Sequence, residues 1–138
     1  VIPSLIKRAI DGENPLNVWG DGSAIRDFIY AMDCANGILQ VFEKGIRKPV
    51  NLASGKGISI RKIVETLVPM IEPQPRVLWD TSKPSGDSRR VLDTTRAESF
   101  GFRPKISLEE GIRNTLDWYL SNKDKSDNKY NSFTEFKT

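Results

Sequence analysis

The chain has 138 residues, 38% hydrophobic and 28% charged, which fits one globular domain with one core, and its apolar runs of a few residues exclude a transmembrane span. Twenty-one basic against 18 acidic side chains leave a net charge of +3 spread along the sequence, so no general nucleic-acid grip is implied while phosphate-sized ligands stay open. A single cysteine, Cys34, and no histidine exclude an internal disulfide and a Cys- or His-based metal site, and suit a reducing cytoplasm.

The chain starts at Val1-Ile2-Pro3-Ser4-Leu5-Ile6, with neither an initiator Met nor the marks of a signal peptide, and is expected to be the second half of something larger. Leu5, Ile6, Ala9 and Ile10 stand at helical spacing between Pro3 and Gly12 and predict a short amphipathic helix. Asn17-Val18-Trp19, the turn Gly20-Asp21-Gly22-Ser23 and the alternating Arg26-Asp27-Phe28-Ile29-Tyr30 predict two short extended pieces. Asp33 is expected to cap a helix with Ile38, Leu39, Val41 and Phe42 on its apolar face, ending near Gly45. Pro49-Val50-Asn51-Leu52-Ala53 has the look of a buried strand. Ser59 caps a second helix carrying Ile60, Ile63, Val64, Leu67 and Val68, and a strand is expected at Arg76 to Asp80. Residues 81 to 90 form a polar loop. A short helix from Asp93 to Phe100 closes at Gly101, and Ser107 with Glu110 opens the clearest helix through a capping box, with Leu108, Ile112, Leu116, Trp118, Tyr119 and Leu120 as its apolar residues. From Lys123 on, only Tyr130, Phe133 and Phe136 interrupt polar residues, so a mobile tail is expected over 123–138. Strands alternating with helices make this an α/β domain, an α+β-like lobe with a small sheet.

Three patterns invite a chemical role and are read as structural. Gly20-Asp21-Gly22 lacks the third glycine of a dinucleotide fingerprint. Ser54-Gly55-Lys56-Gly57 lacks the earlier glycine and the following Ser or Thr of a phosphate loop. Tyr119 and Lys123 have the spacing of a reductase proton-transfer pair, but they fall at the end of the last helix with no serine-bearing loop before them. A more informative set is Arg8, Arg26, Lys83 and Arg89-Arg90, cations far apart in sequence that could converge on a polyphosphate or stay scattered over the surface. Trp19, beside a turn, could stack on a base or belong to the core.

Taken in order, Val1-Ile2-Pro3-Ser4-Leu5-Ile6-Lys7-Arg8, Val18-Trp19-Gly20-Asp21-Gly22, Arg26-Asp27-Phe28-Ile29-Tyr30-Ala31-Met32-Asp33, Ser82-Lys83-Pro84-Ser85-Gly86 and Leu92-Asp93 resemble the GDP-L-fucose synthase family. More loosely, the same run, with the closing Ser107-Leu108-Glu109-Glu110-Gly111-Ile112 and Trp118-Tyr119, resembles the C-terminal half of the extended short-chain dehydrogenases that act as NAD(P)-dependent sugar-nucleotide epimerases and dehydratases. The resemblance covers residues 1 to about 122. It implies that 1–122 is a nucleotide-sugar-binding C-terminal domain, that the Rossmann half with its NADP(H) and its Ser, Tyr and Lys lies outside this segment, and that neither a catalytic nor a cofactor-binding residue nor a metal belongs to it. Cys34 does not match the family's catalytic cysteine, which lies upstream. By position, Arg8, Trp19, Arg26 and Lys83 match residues that contact the diphosphate, nucleoside or sugar of a GDP-sugar, with Val1, Leu5 and Val18 lining the same pocket. The implied reaction of the complete enzyme is 3,5-epimerisation and 4-reduction of GDP-4-keto-6-deoxymannose, in the cytoplasm, with a homodimer as the assembly the family suggests. Another nucleotide-sugar epimerase or 4,6-dehydratase, or a non-catalytic nucleotide-sugar-binding module, stays open beside it.

Overall fold

A computed structural model of the chain describes residues 1–123. The amphipathic N-terminal stretch folds as helix α1 (Ile2–Ile10), whose Leu5, Ile6 and Ala9 are buried. Strand β1 (Leu16–Trp19) pairs in parallel with β4 (Val77–Asp80), Leu16 opposite Val77 and Trp19 opposite Asp80. A second sheet has β2 (Ile25–Asp27) at its centre, antiparallel to β3 (Gly57–Ser59) and parallel to β5 (Arg89–Arg90). The domain thus has two small sheets where the sequence suggested one, each built of strands two to four residues long.

Helix α3 (Ile60–Leu67) starts at the expected cap, the Ser59 side chain accepting the Lys62 N–H, and runs into a single 3-10 turn at Val68–Met70. Helix α5 (Leu108–Ser121) starts the same way, with Ser107 accepting the Glu110 N–H. The core lies where α1, α3 and α5 meet β1, and its fully enclosed side chains include Ile6, Leu16, Ile63, Leu67, Ile71 and Ile112. Trp118 and Leu120 are not part of it. They stand about half exposed, since the helix face turned inward carries Ile112, Leu116 and Tyr119, with Leu108 packed partly buried against the same core.

Helix α2 (Ala31–Glu43) departs from expectation in two ways. Its N-cap position is Tyr30, and Asp33 instead lies buried in the first turn, where its carboxylate accepts the N–H groups of Lys105 (3.0 Å) and Ile106 (2.9 Å) ahead of α5. Most of its predicted apolar face is turned outward: Ile38, Leu39 and Phe42 are 58, 56 and 83% exposed, whereas Val41 is half-buried, one turn on from Gly37, which marks the inward side against Phe102 and Leu52. The segment 49–53, whose apolar pattern suggested a strand, forms none among the described residues, and only Ala53 of it is buried. The short helix α4 (Thr95–Ser99) precedes Phe102. Lys123, expected to open the tail, instead pairs with Asp11 at 3.1 Å; the rest of that tail lies outside the described residues.

Candidate functional site

The β1–β2 turn and the loop 81–90 come together through glycines. Gly20 (φ +79°) donates its N–H to the Asp80 carbonyl, and a Cβ there would lie 2.9 Å from the Ser85 Cβ, so only the bare backbone lets the turn lie against the loop. Gly22 (φ +79°) lies under the Trp79 ring, over whose other atoms the Arg61 guanidinium stacks at 4.5 Å from the ring centre. Asp21 and Asp80 each close a turn by accepting the hydroxyl and N–H of the serine two residues on, Ser23 and Ser82, and those hydroxyl bonds hold both carboxyls below the usual carboxylate range.

Trp19 ends β1 with 61% of its surface exposed, beside this turn. It is not a core residue. Arg26 lies on β2 and spends three of its five N–H donors on carbonyls: Nη1 donates to Ile25 (2.8 Å) and Asp87 (2.6 Å), and Nη2 to Ser85 (3.4 Å). It therefore straps the polar loop to the sheet and keeps two donors for something else. Arg90 is its register partner on β5, and Arg89 is paired with Ile25; both arginines and Lys83 are exposed. Lys83 is held through its N–H on the Asp80 carbonyl (3.3 Å).

Arg8 is differently placed. Its Nε donates to Glu13 Oε2 at 2.6 Å, Nη2 donates to the second Glu13 oxygen, and Nη2 also reaches the Asn17 carbonyl of β1 at 2.5 Å. The Glu13 side chain raises the Arg8 pKa, and Arg8 in turn holds the Glu13 carboxyl below its ordinary value. The sequence reasoning overlooked Glu13; its signal was an acid five residues beyond the arginine, across the helix end. Through Asn17, β1 links Arg8 to Trp19, and Gly20, Ser85 and Arg26 continue that chain of contacts. Leu5 and Val18 lie in the core, 4 and 6% exposed, beneath it.

Of the predicted site residues only Val1 lines the main concavity, a cleft of about 780 Å³ walled by Phe28, Tyr30, Ala53, Ser54, Phe102 and Ile112. The Ser54-Gly55 turn is not a phosphate cradle, because its N–H groups point at a carboxylate of this chain: Ser54 donates to Asp27 Oδ1 at 2.9 Å and Gly55 to Asp27 Oδ2 at 3.0 Å. Gly20–Gly22 joins two strands and opens no helix, so it is no dinucleotide loop either. Tyr119 is core, 7% exposed, and Lys123 pairs with Asp11. Among the described residues no group of His, Cys, Asp or Glu is arranged to hold a metal, and no helix is long and apolar enough to cross a membrane.

Comparison with known proteins gives the same frame. The family model of the NAD dependent epimerase/dehydratase family matches residues 1–53. GDP-L-fucose synthase 1 of Arabidopsis thaliana is 33% identical over 128 residues, which is 88% of this chain and 39% of that protein. Among solved structures, a UDP-N-acetylglucosamine 4-epimerase from Methanobrevibacter ruminantium superposes with a TM-score of 0.74 at 28% identity, covering 88% of this chain and 39% of that one. A GDP-L-fucose synthetase from Naegleria fowleri, bound to NADP, superposes at 0.77 and 21% identity, covering 89 and 40%, a likeness of fold. The chain spans about two-fifths of the length of the relatives it matches. The family-model match over residues 1–53 and the 33% identity to a GDP-L-fucose synthase over 88% of this chain place it in the NAD-dependent epimerase/dehydratase family, whose members are enzymes.

Proposed function

We propose that this chain is the nucleotide-sugar-binding part of an NADP-dependent GDP-4-keto-6-deoxymannose 3,5-epimerase/4-reductase working in the cytoplasm. The observation that carries this reading is the continuous contact between the exposed Trp19, its Gly20 turn, the loop bearing Lys83 and Arg26 with two uncommitted donors. Arg26 and Lys83 grip the diphosphate, and Trp19 offers a flat face to the base or ribose. Arg8, already forked onto Glu13, which balances its charge, fixes β1 beneath Trp19, while Leu5 and Val18 back the site from the core and Val1 stands at the cleft. Holding the diphosphate at a distance from the reacting ring serves catalysis by orienting the sugar.

The described residues offer no turn suited to a dinucleotide, so nicotinamide chemistry belongs to a separate Rossmann half. That half covers the outer face of α2, which accounts for the apolar surface that Ile38, Leu39 and Phe42 expose. The 138-residue chain by itself accordingly turns over no NADPH with a GDP-4-keto sugar.

Calorimetric titration with GDP, UDP and dTDP tests the reading: GDP binds tightest of the three. Preference for UDP or dTDP moves the chain to a sibling epimerase or dehydratase, the second reading that its 28% identity to a UDP-N-acetylglucosamine 4-epimerase supports beside the first. No binding to any of them refutes a nucleotide-sugar site on this chain.

A further inference from the structure

Arg26 is followed by a carboxylate with more hydrogen bonds than any strand-end aspartate needs for solubility. Asp27 Oδ1 accepts the Ser54 N–H at 2.9 Å and the Ser54 hydroxyl at 2.5 Å, and Oδ2 accepts the N–H groups of Gly55 at 3.0 Å and Leu92 at 3.3 Å. These donors come from both sides of the central strand. Ser54 and Gly55 lead into β3, while Leu92 follows β5, so one side chain ties down the two neighbours of β2 at the same end. The tie matters most for β5, which is two residues long, fully exposed, and held otherwise by a short ladder and the Ile25 N–H on the Ser88 carbonyl. A pair that short has little intrinsic stability.

We propose that Asp27 is a positioning residue for the phosphate-binding cations: by anchoring Leu92 it keeps Arg90 in register beside Arg26 and fixes the far end of the loop that presents Lys83. The near end is strapped by Arg26 through the carbonyls of Ser85 and Asp87. Arg26 and Asp27 thus work as two arms, one taking carbonyls and the other N–H groups, and the basic strip is ordered before a ligand arrives. Preordering spares a ligand the cost of immobilising an exposed loop. The inference rests on the nucleotide-sugar reading for the identity of the ligand, whereas the anchoring itself does not.

The test is Asp27→Asn in the 138-residue chain. Asparagine keeps one acceptor for Ser54 and turns an NH2 group toward the N–H groups of Gly55 and Leu92. Amide exchange should quicken at Gly55 and over 89–92. In NMR titrations the ratio of GDP to guanosine affinity should fall about tenfold, a size typical of residues that act through a neighbour. Ser54→Ala, which removes the hydroxyl's contacts with Asp27 and Lys56 but keeps the backbone N–H groups on the carboxylate, should leave that ratio within about twofold. A purely structural role would lower the folded fraction while the ratio per folded molecule stayed the same. A folded Asp27→Asn protein with an unchanged ratio, or with 89–92 still protected, overturns the proposal. If the asparagine variant does not fold, Asp27→Glu, with both acceptor oxygens one methylene further out, is read the same way. If the wild-type chain binds neither ligand, the nucleotide-sugar reading falls, and amide exchange alone decides whether Asp27 anchors β5.

Discussion

Replacing Gly37 with alanine separates two opposed effects of similar size. In mid-helix, alanine is favoured over glycine by about 1 kcal/mol, so helix propensity alone makes Gly37→Ala stabilising. The packing says otherwise: a Cβ at Gly37 would lie 2.7 Å from the Phe102 ring and 2.9 and 3.1 Å from the Leu52 methyls. Phe102 is 2% exposed and has nowhere to retreat, so either the ring or the whole of α2 must move. Overpacking of this kind costs typically about 1–3 kcal/mol, and after subtracting the propensity gain of about 1 kcal/mol a net loss of up to about 2 kcal/mol is expected. For a domain of this size, at about 3–4 °C per kcal/mol, that is a drop in melting temperature of up to roughly 7 °C. Urea unfolding followed by circular dichroism measures it. Phe102→Leu, which trims the ring, should make Gly37→Ala harmless, with a coupling energy of about 1 kcal/mol in the double-mutant cycle. A Gly37→Ala protein more stable than wild type, with no coupling to Phe102, would refute the close approach of α2.

Asp33→Ala should cost about 2–3 kcal/mol in urea unfolding, because it leaves the Lys105 and Ile106 N–H groups without their buried acceptor; a loss below about 0.5 kcal/mol would mean water takes its place freely. Arg26→Ala should lower GDP affinity by about 2–4 kcal/mol, and Arg26→Lys should restore little, since lysine lacks the fork that holds the loop and a phosphate together; wild-type affinity per folded molecule would remove Arg26 from the site. Glu13 has a depressed carboxyl pKa in the folded chain, so its contribution is fully present above the ordinary value near 4.3 and is lost as pH falls through the lower folded value. Glu13→Gln should therefore cost about 1 kcal/mol at neutral pH, a figure reduced for partial solvent exposure, and the gap to wild type should close below about pH 4 in thermal melts. A gap that stayed constant down to acid pH would show that the Arg8 pairing contributes nothing.

The sequence by itself determined the features that depend on near neighbours in the chain. Ser59 and Ser107 cap their helices because the hydroxyl and the N–H three residues on are brought together by the helix start alone. The inward stripes of α1 and α3 were equally legible, since their polar sides leave one face to bury. The strip from Arg26 to Lys83 could be suspected from residue types, but its geometry could not, because what holds it are carbonyls and amides of segments some sixty residues away. Tertiary structure alone decided which way α2 turns. That helix is apolar on two sides, and periodicity cannot tell which meets this chain's core, whereas Gly37 against Phe102 can. The same holds for 49–53, whose apolar pattern suggested a strand and which forms none among the described residues. Asp33 was expected as a helix cap and Asp27 only as a member of an alternating extended piece, and both accept backbone N–H groups from distant segments. A carboxylate's partner is set by which unpaired amides the fold brings within 3 Å, and that is a property of the assembled chain, not of its local sequence.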